Sequence, residues 1–145
     1  MFLGQYMHSL DTKGRLTVPV RFRAALASGA YIVQGFERNL SVYTTESYSR
    51  LSEKASSHSY TNPEVRALLR MVYGRSSEVH LDSTGRILIP SFLREWAVLE
   101  DEAAIVGVGD HFEIWNSENW DDFLTSITDP EINAQRFSEF DLSTG

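Results

Sequence analysis

The chain contains no cysteine, which excludes a disulfide framework, a thiolate zinc centre and a cysteine nucleophile together. Its four histidines, His8, His58, His80 and His111, are scattered without paired ligand spacing, so no metal site is expected. No apolar run approaches the roughly 18 residues of a membrane span, and the Met1-Phe2-Leu3-Gly4 start is too short for a signal-peptide core. The expectation is a soluble, cytoplasmic protein with no membrane partner. Neither of the phosphate-cradling glycine loops nor the nucleophile elbow of hydrolases occurs; Gly107-Val108-Gly109 is expected to mark a bend at a strand end. The carboxylates of the C-terminal third read as a solvated face and not as a general acid/base pair. No catalytic residue, cofactor or small-molecule substrate is expected, and the chain is not read as an enzyme.

Positive charge is also scarce. There are 13 Lys and Arg against 20 Asp and Glu, a net charge of −7, and such an average argues against nucleic acid as a partner. The distribution argues the other way. Residues 1–38 carry Lys13, Arg15, Arg21, Arg23 and Arg38 against Asp11 and Glu37, a net +3. Residues 95–145 carry 13 carboxylates against Arg136 alone, a net −12. A basic front and an acidic tail make the average a poor guide.

What the chain does have is one segment written twice. Leu10-Asp11-Thr12-Lys13-Gly14-Arg15-Leu16-Thr17-Val18-Pro19 returns 71 positions later as Leu81-Asp82-Ser83-Thr84-Gly85-Arg86-Ile87-Leu88-Ile89-Pro90, with five of ten positions identical. The match continues: Arg23 falls on Arg94, Gly35 on Gly107 after one insertion, and Leu40-Ser41-Val42-Tyr43 on Phe112-Glu113-Ile114-Trp115. This is an internal duplication with a period too long for a solenoid.

Each copy reads as hairpin, helix, hairpin, helix. Tyr6, His8 and Leu10 share one strand face, Asp11-Thr12-Lys13-Gly14 makes a tight turn, and Arg15–Val18 returns as the second strand. Pro19 and Pro90 are compatible with first helical turns. Short strands are expected near Ala30–Gly35 and Leu40–Tyr43, then a short helix capped by Thr44 or Thr45. Asn62, Pro63 and the Val65, Leu68, Leu69, Val72 stripe give a linker helix closed by Gly74. In the second copy strands fall at Ala103–Val108 and Phe112–Trp115, and Ser117 starts a closing helix with Trp120, Phe123 and Leu124 inside. The boundaries are residues 5–47 for the first unit, 48–75 for linker helices, 76–119 for the second unit, and 120–145 for the closing helix and acidic tail.

Each turn sets an arginine beside a glycine, a compact anion reader. Arg15 and Arg86, read as exposed, can fork onto phosphate oxygens or the O6/N7 edge of guanine. Lys13 adds a point charge, Thr12, Ser83 and Thr84 add hydroxyl donors, and Gly14 and Gly85 let a backbone approach. Asp11 and Asp82 read as turn-shaping. The simpler alternative is that each arginine only pairs with its own aspartate, but the duplication favours function. Arg21, Arg23 and Arg94 lie at helix starts as either solvated surface or secondary phosphate contacts.

Together, Met1-Phe2-Leu3-Gly4, the paired Asp-x-x-Gly-Arg-…-Pro segments, Val72-Tyr73-Gly74 and Phe112-Glu113-Ile114-Trp115 resemble the MraZ family of bacterial transcriptional regulators. The resemblance implies an α+β, mainly β fold: tandem AbrB-like swapped-hairpin half-domains forming a pseudo-twofold β-barrel with short flanking helices. It also implies a nucleoid-associated repressor of its own promoter in the division and cell wall cluster, binding short direct repeats of double-stranded DNA. The partner besides DNA is the chain itself, in a ring-shaped homo-oligomer, an octamer or similar. Contact with DNA carries over to Asp11/Arg15 and Asp82/Arg86; Lys13 fits the family's basic residue, whereas Thr84 does not supply it. The alternative is a protein-interaction scaffold on the same fold without DNA binding.

Overall fold

The first strand of each repeat pairs with the hairpin of the other. In the computed structural model, which describes residues 1–145, the first repeat contains β1 (Gln5–Ser9), β2 (Arg15–Thr17), α1 (Val20–Arg23) running into a 3₁₀ turn (Ala24–Leu26), β3 (Ala30–Gln34), β4 (Asn39–Thr44) and α2 (Thr45–Ser56). Helix α3 (Pro63–Gly74) leads to β5 (Ser76–Val79), β6 (Arg86–Leu88), α4 (Ser91–Trp96), β7 (Glu102–Gly107), β8 (His111–Asn116), α5 (Ser117–Ile127) and α6 (Pro130–Arg136). Six strands form one antiparallel sheet in the order β1-β7-β8-β4-β3-β5. About the β8–β4 seam, β1 answers β5, β7 answers β3 and β8 answers β4, so the duplication is a pseudo-twofold in space.

Two expectations are corrected. The strand after each turn does not complete a local hairpin: β1 and β2 are joined only by a Leu10–Leu16 bridge. Strand β2 pairs instead with β6, in the register Arg15–Leu88, Leu16–Ile87, Thr17–Arg86. Nor does the sheet close into a barrel. Strands β1 and β5 remain its edges, because β2 and β6 are three residues each and give their ladder bonds to one another.

Alternation along the strands assigns the two sheet faces. Ile32, Leu40, Val42, Ile105, Phe112 and Ile114 face the β2–β6 ribbon and the short helices, forming one core with Leu16, Ile87, Phe22, Leu26 and Leu93. Phe2, Phe22 and Phe112 meet at its centre with ring centroids 5.0–5.4 Å apart. Both repeats supply this single core. On the opposite face Tyr48 of α2 stacks on Tyr31 at 4.4 Å, and Trp120 of α5 packs on Trp115 and Ala104.

Local chemistry sets the helix starts. Thr44 Oγ1 accepts the Ser47 N–H, Asn62 Oδ1 the Glu64 N–H, and Asn116 Oδ1 the Asn119 N–H, as N-caps do. Four details differ from expectation. Pro19 and Pro90 sit at the N-cap, in extended conformation, one residue before their helices. Helix α2 runs on to Ser56, anchored by buried Ala55. Gly74 stays helical, with Arg75 as the cap, because β5 begins at once. Phe123 is 38% exposed, lying over the outer edges of Trp115 and Trp120.

Candidate nucleic-acid interface

The two turns are built from one hydrogen-bond plan. Asp11 Oδ1 accepts the backbone N–H of Lys13 (3.0 Å) and Arg15 (2.9 Å), and Oδ2 accepts Arg15 Nε–H (2.7 Å). Asp82 Oδ1 accepts the backbone N–H of Thr84 (2.9 Å) and Arg86 (3.0 Å) with the Thr84 hydroxyl (2.9 Å), and Oδ2 accepts Arg86 Nε–H (3.0 Å). Gly14 and Gly85 donate back to the aspartate carbonyls at φ +88° and +80°, where glycine alone is unstrained. The donated bonds, led by the backbone N–H of Arg86, bring the Asp82 carboxyl down to about 2. Asp11 is lowered for the same reason, with the Arg15 N–H foremost. Both turns therefore keep ionised clamps at neutral pH.

Each arginine does pair with its own aspartate, but through Nε, which leaves both terminal amino groups of Arg15 and one of Arg86 without a protein partner. Arg15 makes no other side-chain bond, while Arg86 also reaches Asp11 Oδ2 across the ribbon at 3.5 Å. The side chains are 36% and 30% exposed, so they are partly sheltered and not fully exposed as expected. A guanidinium held at Nε keeps its fork aimed in one direction, which lowers the ordering cost of gripping a planar acceptor.

The ribbon register decides what surrounds them. Leu16 and Ile87 point into the core at 0% and 1% exposure. Directly paired residues share a face, so Arg15, Thr17, Arg86 and Leu88 lie outward together. Thr12, Lys13, Ser83 and Thr84 are exposed at the turns, while Gly14 and Gly85 are buried beneath them. Thr17 and Leu88 are absent from the candidates named by sequence. Leu88, 57% exposed, is apolar and reads as core; its placement between inward Ile87 and Ile89 is the signal that it faces out.

Arg23 and Arg94 are not ordinary solvated side chains. Arg23 Nε–H donates to Val18 O and Arg94 Nε–H to Ile89 O, both at 2.9 Å. Each guanidinium lies over the turn glycine of the other repeat, Arg94 over Gly14 and Arg23 over Gly85. The Ile89 N–H donates to Gly14 O and the Val18 N–H to Gly85 O. Each turn is therefore seated on the opposite repeat. Burial, and after it the positive charge of Arg23, holds His8 below its ordinary range. Arg21 is exposed at the start of α1.

The seats make a stability prediction. Gly14→Ala and Gly85→Ala combine a strained φ with a Cβ driven into the overlying arginine, and each should cost about 1–3 kcal/mol. Gly74→Ala, in a helix with open space around it, should instead stabilise by about 0.5–1 kcal/mol. Chemical denaturation of the three variants checks this; equal shifts would remove the seat from the account.

No three His, Asp or Glu side chains converge to hold a metal ion, and no helix is long and apolar enough to cross a membrane.

Comparison with known proteins gives a consistent result. Two successive matches to the family model described as "MraZ protein" and as antitoxin-like cover residues 1–71 and 72–139. A Thermomicrobium roseum protein named transcriptional regulator MraZ is 46% identical over 120 residues, 83% of this chain and 84% of the relative. Its namesake from Dictyoglomus thermophilum is 47% identical over 123 residues, 85% and 84% of the two chains. That from Roseiflexus castenholzii is 42% identical over 139 residues, 96% and 95%.

Proposed function

We propose, for a chain that belongs to the MraZ family, that it is a sequence-specific DNA-binding transcriptional regulator and not an enzyme. It acts in the cytoplasm on the nucleoid, reading short direct repeats upstream of its own gene and repressing the division and cell wall cluster. The observation that carries this reading is the pairing of two aspartate-clamped arginines on the outward face of one two-stranded ribbon. Such a ribbon is narrow enough for a major groove, and each fork matches the guanine O6/N7 edge. Lys13 contacts phosphate, the turn hydroxyls position the backbone, and Arg21, Arg23 and Arg94 form a second rank behind the tips. Asp11 and Asp82 shape the turns and stay off the phosphates.

An acidic chain binds DNA because charge acts locally: the tips carry Lys13, Arg15 and Arg86, while the excess carboxylate lies in residues 95–145. We place the chain in a ring-shaped homo-oligomer, so that several modest contacts on neighbouring repeats add through effective concentration. Phosphate contacts then supply affinity and arginine–base contacts supply the choice of repeat.

The test is binding to DNA from directly upstream of the gene, followed by fluorescence anisotropy across a salt series. Affinity should fall steeply as salt rises. Lys13→Thr should weaken binding and reduce the magnitude of the salt slope by about one, and Thr84→Lys should do the reverse by giving the second tip the charge it lacks. Salt-insensitive binding, or no binding by wild type at low salt, would set the reading aside.

A further inference from the structure

The pseudo-twofold places a helical end on each half of the sheet face opposite the ribbon, and the two ends carry opposite charge. Helices α2 and α3 cover β3, β4 and β5, and α5 covers β7 and β8. Residues 45–75 are net +2 and residues 117–145 net −6. The imbalance is unspent within the chain: Arg50, Lys54, Arg66 and Arg70 make no ion pair, and neither does any carboxylate of residues 117–145. Both ends also expose apolar surface, Tyr60 and Tyr73 on the cationic one, and Phe123, Ile132, Phe137 and Phe140 on the anionic one. The tail residues Phe140 and Leu142 follow α6 with no core of their own.

We infer that the acidic α5–α6 end of one copy docks on the cationic α2–α3 end of the next. This rests on the assembly reading above and names its contact. The chemistry is an apolar patch rimmed by complementary charge, which sets register and partner. Because the surfaces differ, the contact is heterologous and propagates head to tail, and a head-to-tail contact closes as a ring when its rotation permits. A twofold contact of either end with itself would bring like charges together. Duplication followed by divergence of charge thus gives one chain both halves of an interface.

The experiment uses the full chain and light scattering coupled to size exclusion. Lys54→Glu/Arg70→Glu makes both ends acidic, and Asp122→Lys/Glu139→Lys makes the acidic end less so; all four side chains are exposed and without hydrogen-bond partners. Each double variant, with circular dichroism confirming the wild-type fold, should fall to a lower mass than wild type at low salt. An equimolar mixture should instead give a one-to-one pair of the two variants, since the acidic end of the first and the cationic end of the second are unaltered and meet at one native junction. Variants that keep the wild-type mass alone, or stay dissociated when mixed, would overturn the inference while leaving assembly intact. A wild type that runs as a single chain would overturn both.

Discussion

On the proposed reading, replacing Arg15 and Arg86 together by alanine will leave a folded protein that binds DNA from upstream of its gene about five hundredfold more weakly. A bidentate arginine–base contact contributes about 1–3 kcal/mol of discrimination, so losing two removes roughly 2–6 kcal/mol per reading head. At about 1.4 kcal/mol per tenfold, even the middle of that range exceeds two orders of magnitude. The fold survives because the turn does not depend on the guanidinium. Asp11 still accepts the N–H groups of residues 13 and 15, and Asp82 those of 84 and 86, both of which alanine retains. Leu16 and Ile87, which anchor the ribbon, are untouched. Lysine at both positions should rescue only partly, restoring charge without the planar fork. The single variants should differ, because Arg86 also touches Asp11; its loss removes that cross-ribbon contact, whereas the loss of Arg15 leaves it in place. The measurement is anisotropy at fixed salt with thermal unfolding alongside. Binding that survives the double change would move the reading head to Arg21, Arg23 and Arg94.

How much of this was legible in the sequence depends on the range of the forces involved. The turns are local chemistry. An aspartate that caps its own loop, a glycine at positive φ and an arginine two residues beyond Lys13 or Thr84 need nothing from the rest of the chain, and the duplicated motif displays them directly. The caps at Thr44 and Asn62 are local for the same reason. Strand partners are not. Nothing near β2 states that it will pair with β6, since alternation gives the faces of a strand but not its neighbour. A local hairpin is therefore the natural reading of Leu10–Val18, and it is wrong because the pseudo-twofold offers a better partner. Arg23 and Arg94 show the same limit: sequence puts them at helix starts, and only the cross-repeat packing puts each over the other repeat's glycine. Phe123 reads as core by its helical spacing, yet α5 turns its buried stripe through Trp120, and Phe123 is left at the rim.

The exchange of strands carries a second large consequence. The repeats match a family model separately, at residues 1–71 and 72–139, which invites the idea that each is a domain. Cut between Arg75 and Ser76, neither piece should fold as a monomer. In residues 1–75, β1 loses β7, β2 loses β6 and β3 loses β5, leaving only the β3–β4 pairing intact. The buried faces of Leu16, Phe22, Ile32 and Val42 lose Ile87, Leu93, Ile105 and Phe112 from the shared core. A piece of that length has little core to begin with, and an intact domain holds only about 5–15 kcal/mol in reserve. Co-expressed, the two pieces should restore the far-ultraviolet dichroism and a single unfolding transition, because every lost ladder is then available between chains. A monomeric 1–75 piece with a cooperative transition of its own would show that the repeats are separable. The intact chain should also unfold in one step at every probe, tryptophan fluorescence from the second repeat included, since Phe2 and Phe22 of the first repeat and Phe112 of the second share one aromatic contact. The same dependence fixes the reading head. With Gly14 seated under Arg94 and Gly85 under Arg23, each locally formed turn is docked only when both repeats are folded, so the two arginines reach their shared outward face together or not at all.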